Sequence, residues 1–345
     1  DASGAMSGAM APKPPQQAEK RPSQMSMWML PANRSRIFVL VILVVQNASA
    51  SLLMRQSRLQ GGDVKWNPLT GVVIQEVIKA VSCVALLLQE GNLQSAFADK
   101  WEFAKTTIPA VLYLIQNNLQ YISVSYLDAS SYAVLYQLKI ITTAILSVCL
   151  LGKRLTLMQW ISLVLLTAGV SAAVASQLNA EEKAVAGHDS YALGVVAVLA
   201  ACVTSGLAGV SFEKLLKGST LSLWARNLQL ALFSIVVGMS SLIGSHDLSF
   251  QSFFRGYTPI VWVSLANNAF GGLLIAVVIK KADNIMKNFA TSFSIILTST
   301  VSVLMGDSSL NLLFCIGASM VIYAVFLYGL VNPLGTLLSL RRVPL

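Results

Sequence analysis

One lysine stands alone in a long apolar segment of this chain. Lys139 is the only charged residue between Ser130 and Leu151, a segment long enough to cross a bilayer as a helix. A lysine near the middle of such a helix costs about 2.5–3.5 kcal/mol on insertion scales. Intramembrane lysines therefore usually face a cavity, where they pair with an acid or bind an anion. Lys139 is the first candidate for a ligand-binding residue, and a structural ion pair is the alternative.

Polar residues accompany Lys139 at helical spacing. One face of the same segment carries Tyr132, Tyr136, Lys139 and Thr143. The preceding apolar segment has a similar set, with one neighbouring amide: Tyr113, Asn117, Gln120 and Asn118. Tyrosine can stack on a planar ring, and an amide can both donate and accept hydrogen bonds. These residue types predict a wet cavity for an anion that carries an aromatic ring, although ordinary packing between helices is the alternative for the tyrosines.

A second lysine lies on the corresponding face of a later segment. When Asp128 is aligned with Asp283, the fourth apolar segment matches the ninth without a gap, and the second polar stripe is Lys287, Thr291, Ser294 and Thr298. Lysine meets phosphate as a point charge, so one lysine from each half predicts a phosphate-binding pair. Lys287 also lies beside Lys280 and Lys281, so a solvated lysine that sets membrane topology is the alternative.

The only acid deep in an apolar segment is Glu76. Lys79 follows it by three residues, on the same face of a predicted helix. We therefore expect Glu76 to pair with Lys79, in a structural or gating role, which leaves Lys139 for a ligand.

The composition bounds the fold that must position these residues. The chain has 345 residues, of which 55% are hydrophobic and 11% charged, whereas soluble domains average about 25% charged residues. This predicts an all-α polytopic membrane protein, and the apolar segments are too continuous for an outer-membrane barrel. The four cysteines form no CxxC pair, and His188 and His246 lie in polar loops. We therefore predict no metal site and no cofactor.

Ten transmembrane helices are predicted, in two groups of five. They are Arg36–Met54, Leu69–Gln89, Thr106–Leu127, Ser130–Leu151, Thr156–Gln177, Tyr191–Phe212, Leu221–Ile243, Thr258–Ile279, Met286–Met305 and Leu310–Leu330. An odd number of spans in each half reverses its orientation, so residues 34–177 and 191–330 are predicted to be inverted repeats. The polar remainder comprises a disordered N-terminal tail (1–33), a linker (178–190) and a C-terminal tail (331–345).

The distribution of basic residues predicts the orientation. Most of the 24 Lys and Arg residues fall on the side that contains the N-terminus, Lys153, Lys217 and Arg226 among them. Cytosolic loops are enriched in Lys and Arg, so both termini are predicted to be cytosolic. This asymmetry explains the net charge of +9 without nucleic acid as a partner.

Several short segments resemble a known family. They are Tyr136–Ile140, Ser222–Gln229, Ala282–Phe289, and the runs Gln116-Asn117-Asn118 and Leu127-Asp128-Ala129. These segments look like signatures of Golgi nucleotide-sugar transporters, in the drug/metabolite transporter superfamily. The resemblance covers about Arg36 to Leu330, and the most similar branch holds the CMP-sialic acid and UDP-galactose transporters.

The resemblance implies a function and a site. Such transporters exchange a cytosolic nucleotide sugar for a lumenal nucleoside monophosphate across the Golgi membrane. We expect CMP-sialic acid and CMP here, with a UDP-sugar such as UDP-galactose and UMP as the alternative, because Ala231 and Phe233 replace the Tyr and Ser of the sialic acid branch. Lys139 and Lys287 would hold the phosphate. The nucleoside and sugar would contact Tyr113, Asn117, Asn118, Tyr132, Tyr136, Gln137 and Asn227.

An enzyme is the competing class of function. A membrane-embedded sugar transferase needs an acid/base pair at the membrane face, and neither histidine lies in a predicted span. We therefore predict a transporter rather than an enzyme, working in the bilayer as a monomer or homodimer.

Overall fold

The computed structural model describes residues 31–59, 66–127, 129–176, 188–219, 221–244, 249–305 and 311–340, and every regular element in these ranges is helical. The α-helices are α1 (Pro31–Leu59), α2 (Pro68–Gln89), α3 (Ser95–Ala98), α4 (Lys100–Tyr126), α5 (Ala129–Leu135), α6 (Lys139–Leu151), α7 (Leu157–Ala175), α8 (His188–Gly218), α9 (Leu223–Gly244), α10 (Phe250–Phe253), α11 (Pro259–Lys281), α12 (Asn284–Leu304) and α13 (Leu312–Leu340). Each predicted span coincides with a long helix or, for the fourth span, with α5 and α6 together.

Seven helical stretches among the described residues are long and apolar enough to cross a membrane. They belong to α1, α2, α5–α6, α7, α8, α9 and α11. The other predicted spans correspond to α4 and α12, whose polar stripes reduce their mean hydropathy, and to α13, whose apolar stretch Leu312–Tyr328 is shorter. The all-helical membrane fold is thus confirmed, and ten crossings with cytosolic termini remain predictions.

The ends of the predicted polar segments differ from the structure. Helix α1 already begins at Pro31, α8 begins at His188, and α13 continues to Leu340. Residues 1–30 of the predicted tail (1–33), residues 178–187 of the predicted linker (178–190) and residues 341–345 of the predicted C-terminal tail (331–345) lie outside the described residues.

Short side chains and glycine set the helix ends near the site. Asp99 accepts hydrogen bonds from the backbone N–H groups of Trp101 and Glu102 at the start of α4, and Asp283 accepts one from Met286 at the start of α12. These are N-caps, which supply partners to otherwise unpaired N–H groups. Helix α6 ends at Gly152, whose φ of 64° is a left-handed conformation that favours glycine.

The fourth span is interrupted, whereas the sequence predicted one continuous helix. Residues Tyr136–Leu138 form a 3₁₀ turn between α5 and α6, and the N–H of Lys139 donates to the Tyr136 and Gln137 carbonyls. The thiol of Cys202 in α8 lies 3.7 Å from the Leu135 carbonyl and 3.6 Å from that of Tyr136. A buried thiol therefore supplies a weak donor where the regular helical pattern is lost. The interruption lies immediately before Lys139.

Pairs of helices from the two halves pack against each other. Helix α1 packs on α11 and α12, α8 packs on α4 and α6, α2 on α9, and α7 on α13. Glycines let the backbones of α7 and α13 approach closely where they cross. A Cβ on Gly317 would lie only 2.6 Å from the Gly169 carbonyl oxygen. The largest buried cluster joins α6, α7, α12 and α13 and includes Ile140 and Phe289, so it forms a rigid wall beside both candidate lysines.

Candidate functional site

Lys139 lies over an aromatic pair at the start of α6. Its Nζ is 4.2 Å from the centroid of the Tyr136 ring, within the distance of a cation–π interaction. Tyr136 in turn stacks on Tyr132, with ring centroids 5.6 Å apart and planes inclined by 12°. The predicted stripe of Tyr132, Tyr136 and Lys139 is therefore one contiguous surface.

Hydrogen bonds from two other helices hold the Tyr136 ring. Its hydroxyl accepts from the side-chain amides of Gln116, at 2.7 Å, and Gln120, both in α4, and it also bonds Ser205 in α8. Tyr113, one turn before Gln116, lies near Tyr136. The aromatic platform under Lys139 is therefore fixed by α4 and α8, and Tyr113 belongs to the same group of residues.

The structure brings the two candidate lysines together from opposite halves of the chain. Lys287 lies in the first turn of α12, where the charges of Lys139 and of the buried Glu213 in α8 both act on it. Neither lysine forms an ion pair with any residue in the described ranges. Two like charges that no salt bridge neutralises are costly in a site of low dielectric constant. This arrangement suits a bound anion, and its role in phosphate binding stays a prediction.

The other predicted pocket residues differ in whether their side-chain amides are available to a ligand. The Asn117 side chain is exposed and makes no hydrogen bond within the described residues, so its amide is available to a ligand. The amide groups of the remaining three bond main-chain carbonyls of their own segments: Asn118 to Leu114, Gln137 to Ala133 and Asn227 to Leu223. Asn118 also shares its helix face with exposed apolar side chains, namely Val111, Ile115 and Ile122. The structure therefore does not direct these three amide groups toward the lysines.

The expected pair of Glu76 and Lys79 forms within α2. The Lys79 ammonium lies 2.6 Å from a Glu76 carboxylate oxygen, and both residues are buried. Gly272 of α11 makes room for it, since a Cβ there would lie 3.0 Å from the Lys79 Cδ. Glu76 therefore has its partner within its own helix and leaves Lys139 unpaired, as the sequence predicted.

A buried acidic residue near Lys287 was not recognised from the sequence. Glu213 of α8 is fully buried and accepts ion pairs from Lys153 and Lys217, each at 2.8 Å. It also accepts the backbone N–H of Asn284 at 3.0 Å, and Lys153 reaches Asp283 at 3.3 Å. We call these charged residues, Lys153, Glu213, Lys217 and Asp283, the α8–α12 ion cluster. It ties the end of α6 and the end of α8 to the start of α12.

Arg226 belongs to a second buried cluster. The distribution of basic residues counted it among those on the cytosolic side, and the structure shows that it is fully buried and pairs with Glu102 of α4. Its guanidinium also donates to Thr106 at 3.0 Å and to Ser219 at 2.9 Å. The available signal was that Arg226 lies inside the predicted span Leu221–Ile243, where a charge needs a partner.

Comparison with known proteins agrees with this architecture. Residues 31–329 match the family profile described as nucleotide-sugar transporter. The UDP-galactose translocator of Mus musculus is 43% identical over 309 residues, which cover 86% of this chain and 79% of the relative. The UDP-N-acetylglucosamine transporter of Mus musculus is 42% identical over 306 residues, covering 84% and 93% respectively. A transporter of Caenorhabditis elegans named for UDP-N-acetylglucosamine and UDP-N-acetylgalactosamine is 42% identical over 316 residues, covering 85% and 93%.

A solved crystal structure shares the fold. It superposes with a TM-score of 0.67 over 86% of this chain and 97% of its own, at 12% identity, which is a likeness of fold alone. The family profile extends from the first helix into the last and includes both candidate lysines. The chain belongs to the nucleotide-sugar transporter family.

Proposed function

We propose that this protein is an antiporter that exchanges a UDP-sugar for UMP. The relatives described above are named for UDP-galactose and UDP-N-acetylhexosamines, so they favour the UDP-sugar alternative, and the expected CMP-sialic acid is not supported. Ala231 and Phe233, where the sialic acid branch carries Tyr and Ser, point in the same direction. We infer a neutral hexose or N-acetylhexosamine as the sugar, because a sialic acid carboxylate would need a polar partner.

The observation that carries this proposal is the pair of unpaired lysines. A nucleoside diphosphate sugar brings two negative charges, and Lys287 lies within range of the charge of Lys139. We assign the diphosphate to these lysines and the uridine to the exposed amide of Asn117 and the aromatic surface of Tyr113 and Tyr132. Tyr136 is then a positioning residue, since its hydroxyl is occupied by Gln116 and Gln120.

The pairing of helices supports the inverted repeat. In an inverted repeat, α1 corresponds to α8, α4 to α11, and α6 to α12. The contacts of α1 with α11 and α12 then have their counterparts in the contacts of α8 with α4 and α6. The α2–α9 and α7–α13 pairs each join two corresponding helices. In inverted-repeat transporters, one half rocks against the other around a site near the midplane. We infer that the two lysines mark this site.

The α8–α12 ion cluster supports a state of the transport cycle in which the site is closed toward the cytosol. Lys153 and Lys217 lie at the ends of α6 and α8 that the distribution of basic residues places toward the cytosol. We assign the cluster to closure of that side, because it joins three helices that line the proposed site. Opening toward the cytosol would then separate Lys153 from Glu213 and Asp283.

The charges of the two lysines also explain why uptake of the nucleotide sugar is coupled to export of UMP. An empty site holds two cations that repel each other, whereas a bound diphosphate or monophosphate neutralises them. We therefore infer that the site reorients readily only when it is loaded, so entry of the nucleotide sugar requires exit of UMP. A Golgi location, with both termini in the cytosol, belongs to the same proposal.

Exchange in proteoliposomes tests the proposal. Vesicles loaded with UMP should take up radiolabelled UDP-galactose or UDP-N-acetylglucosamine faster than empty vesicles, and CMP loading should have no such effect. Lys139→Gln and Lys287→Gln should each abolish the stimulated uptake, while Lys280→Gln, which removes an exposed lysine at the end of α11, should retain it. Undiminished exchange by either site variant would refute the phosphate role, and stimulation by CMP alone would refute the choice of base.

A further inference from the structure

A groove on the outer side of the bundle lies apart from the proposed transport site. It has a volume of about 470 Å³ and lies between α4, α6, α8 and α9. Its walls are formed by Glu102, Lys105, Ile108, Leu150, Lys214 and Arg226, with Val210 and Leu215 of α8. We call it the α4–α8 groove. None of the residues assigned to the substrate lines it.

The surroundings of the groove place it at the lipid-facing surface. Lys214 follows Val196 and Val203 on one face of α8, and these valines are 63% and 44% exposed. Ile108 of α4 and Leu150 of α6, which line the groove, are 56% and 46% exposed. Exposed apolar side chains on membrane-spanning helices contact acyl chains. The groove therefore opens sideways into the bilayer.

The charged wall of the groove is at one end of the helices. Lys105 is in the second turn of α4, and Lys214 is in the last turns of α8. Arg226 and Glu102 pair at the base of the groove. The side chain of Lys105 also bonds Glu102 but remains 54% exposed, and the exposed Lys214 makes no ion pair within the described ranges. Three cationic residues thus face a single acid, and the groove carries a positive charge.

We infer that the α4–α8 groove binds an anionic glycerophospholipid. The headgroup phosphate lies between Lys105 and Lys214, and one acyl chain follows the exposed Ile108 and Leu150 along the surface. Lysine suits this role because its ammonium meets phosphate as a point charge, and basic pockets between transmembrane helices on the cytosolic side select anionic headgroups. The apolar wall distinguishes a lipid from a soluble phosphate, which would leave Ile108 and Leu150 unused.

The occupied groove has a mechanical consequence. A bound headgroup would bridge α4 to α8 through the two lysines, beside the Glu102–Arg226 pair that already ties α4 to α9. Because α4 also holds the Tyr136 platform through Gln116 and Gln120, lipid binding would stabilise the helix on which the site depends. This inference concerns a site separate from the transported nucleotide and stands even if the proposed substrate is wrong.

Thermal unfolding of the purified full chain in a neutral detergent tests the inference. Phosphatidylserine should raise the unfolding midpoint, while phosphatidylcholine and soluble glycerophosphoserine at the same concentration should not. The double variant Lys105→Gln/Lys214→Gln should bind phosphatidylserine about 30-fold more weakly, as expected for the loss of two lysines near an anionic headgroup. A matched control, Arg154→Gln/Lys280→Gln, removes two exposed basic residues outside the groove and should respond like the wild type.

Three results would overturn the inference. One is an equal response to phosphatidylcholine, which would indicate unselective solvation of the apolar wall. Another is an equal loss in the control variant, which would indicate general attraction of a basic surface for anionic lipid. The third is full stabilisation by glycerophosphoserine, which would indicate a soluble anion as the occupant. A cooperative unfolding transition of the lipid-free double variant, close to that of the lipid-free wild type, checks that the variant is folded.

Discussion

The Arg226–Glu102 pair offers a test of whether a basic residue is buried or solvated. In the Arg226→Met variant, an apolar chain of comparable length replaces a guanidinium that is fully buried and bonds Glu102, Thr106 and Ser219. Removal of one partner from a buried ion pair costs about 3–5 kcal/mol. Glu102 keeps its bond to Lys105 and its side chain is 20% exposed, so we expect the lower end, about 3 kcal/mol.

That loss should be visible in thermal unfolding of the purified protein. Because the unfolding entropy is about 2.1 cal/mol/K per residue and the chain has 345 residues, a destabilisation of this size corresponds to a midpoint about 4 °C lower. The control is Arg154→Met, since Arg154 is exposed at the end of α6 and surface substitutions usually change stability by less than about 0.5 kcal/mol. Arg226→Lys should lie between the two, because lysine retains the charge but cannot reproduce the planar fork of donors.

A double variant separates the ion pair from simple loss of packing. Glu102→Met/Arg226→Met removes both charges, and paired apolar replacement of a buried ion pair is often close to neutral. We therefore expect its midpoint to recover by at least half relative to Arg226→Met. If Arg226→Met unfolds within about 1 °C of Arg154→Met, then Arg226 is a solvated topogenic residue and the reasoning from its burial is wrong.

Three further predictions concern the ion cluster, the helix crossing and pH. Glu213→Gln should weaken closure at the end of α6 and α8, because the buried carboxylate loses its charge beside Lys153. Labelling of a cysteine introduced at the partly buried Leu155 should then show greater access from the cytosolic side than in the same cysteine variant with Glu213 intact, and equal access would contradict the assignment. Gly317→Ala should lower the unfolding midpoint because a Cβ would meet backbone at 2.6 Å, whereas Gly218→Ala has nothing within 4 Å and should be neutral; equal midpoints would contradict the close crossing. The hydrogen bond from Lys105, with the charge of Arg226, lowers the pKa of Glu102 below its ordinary value of 4.5, so its contribution to stability is complete above about pH 4.5 and declines as pH falls further; Glu102→Gln should remove this part of the acid dependence measured by unfolding midpoints, and an unchanged acid profile would show that other carboxylates dominate.

Much of the architecture could be predicted from the sequence. Apolar length marks the helices, and the expense of a lysine in such a segment singles out Lys139. The gapless match to the ninth segment identifies Lys287, and the structure brings the two charges within mutual range. The partner of Glu76 was also predictable, because residues three apart on a helix are neighbours.

Contacts between distant segments could not be predicted in this way. The positive-inside rule counts Lys153, Lys217 and Arg226 alike as cytosolic basic residues and says nothing of their partners. In the structure each is paired with an acid: Glu213 for the two lysines, and Glu102 for Arg226. The Glu102–Arg226 pair could not be predicted from helical spacing, because the two residues are far apart in the sequence. The spacing of residues along a helix also cannot identify the nucleotide base, because the phosphates of any nucleotide can bind the same two lysines.

The sequence by itself determined the membrane-helix fold and singled out Lys139 and Lys287 as candidate ligand residues. The reason is that hydropathy, and the free-energy cost of a charge in the bilayer, are local properties of a segment. Only the tertiary structure decided how those lysines are surrounded. The 3₁₀ turn at Tyr136–Leu138 lies against Cys202 of α8, and two glutamines of α4 bond the Tyr136 hydroxyl. Burial of Glu213 and Arg226 follows from the same cause, since a charge can leave water only where folding supplies its partner.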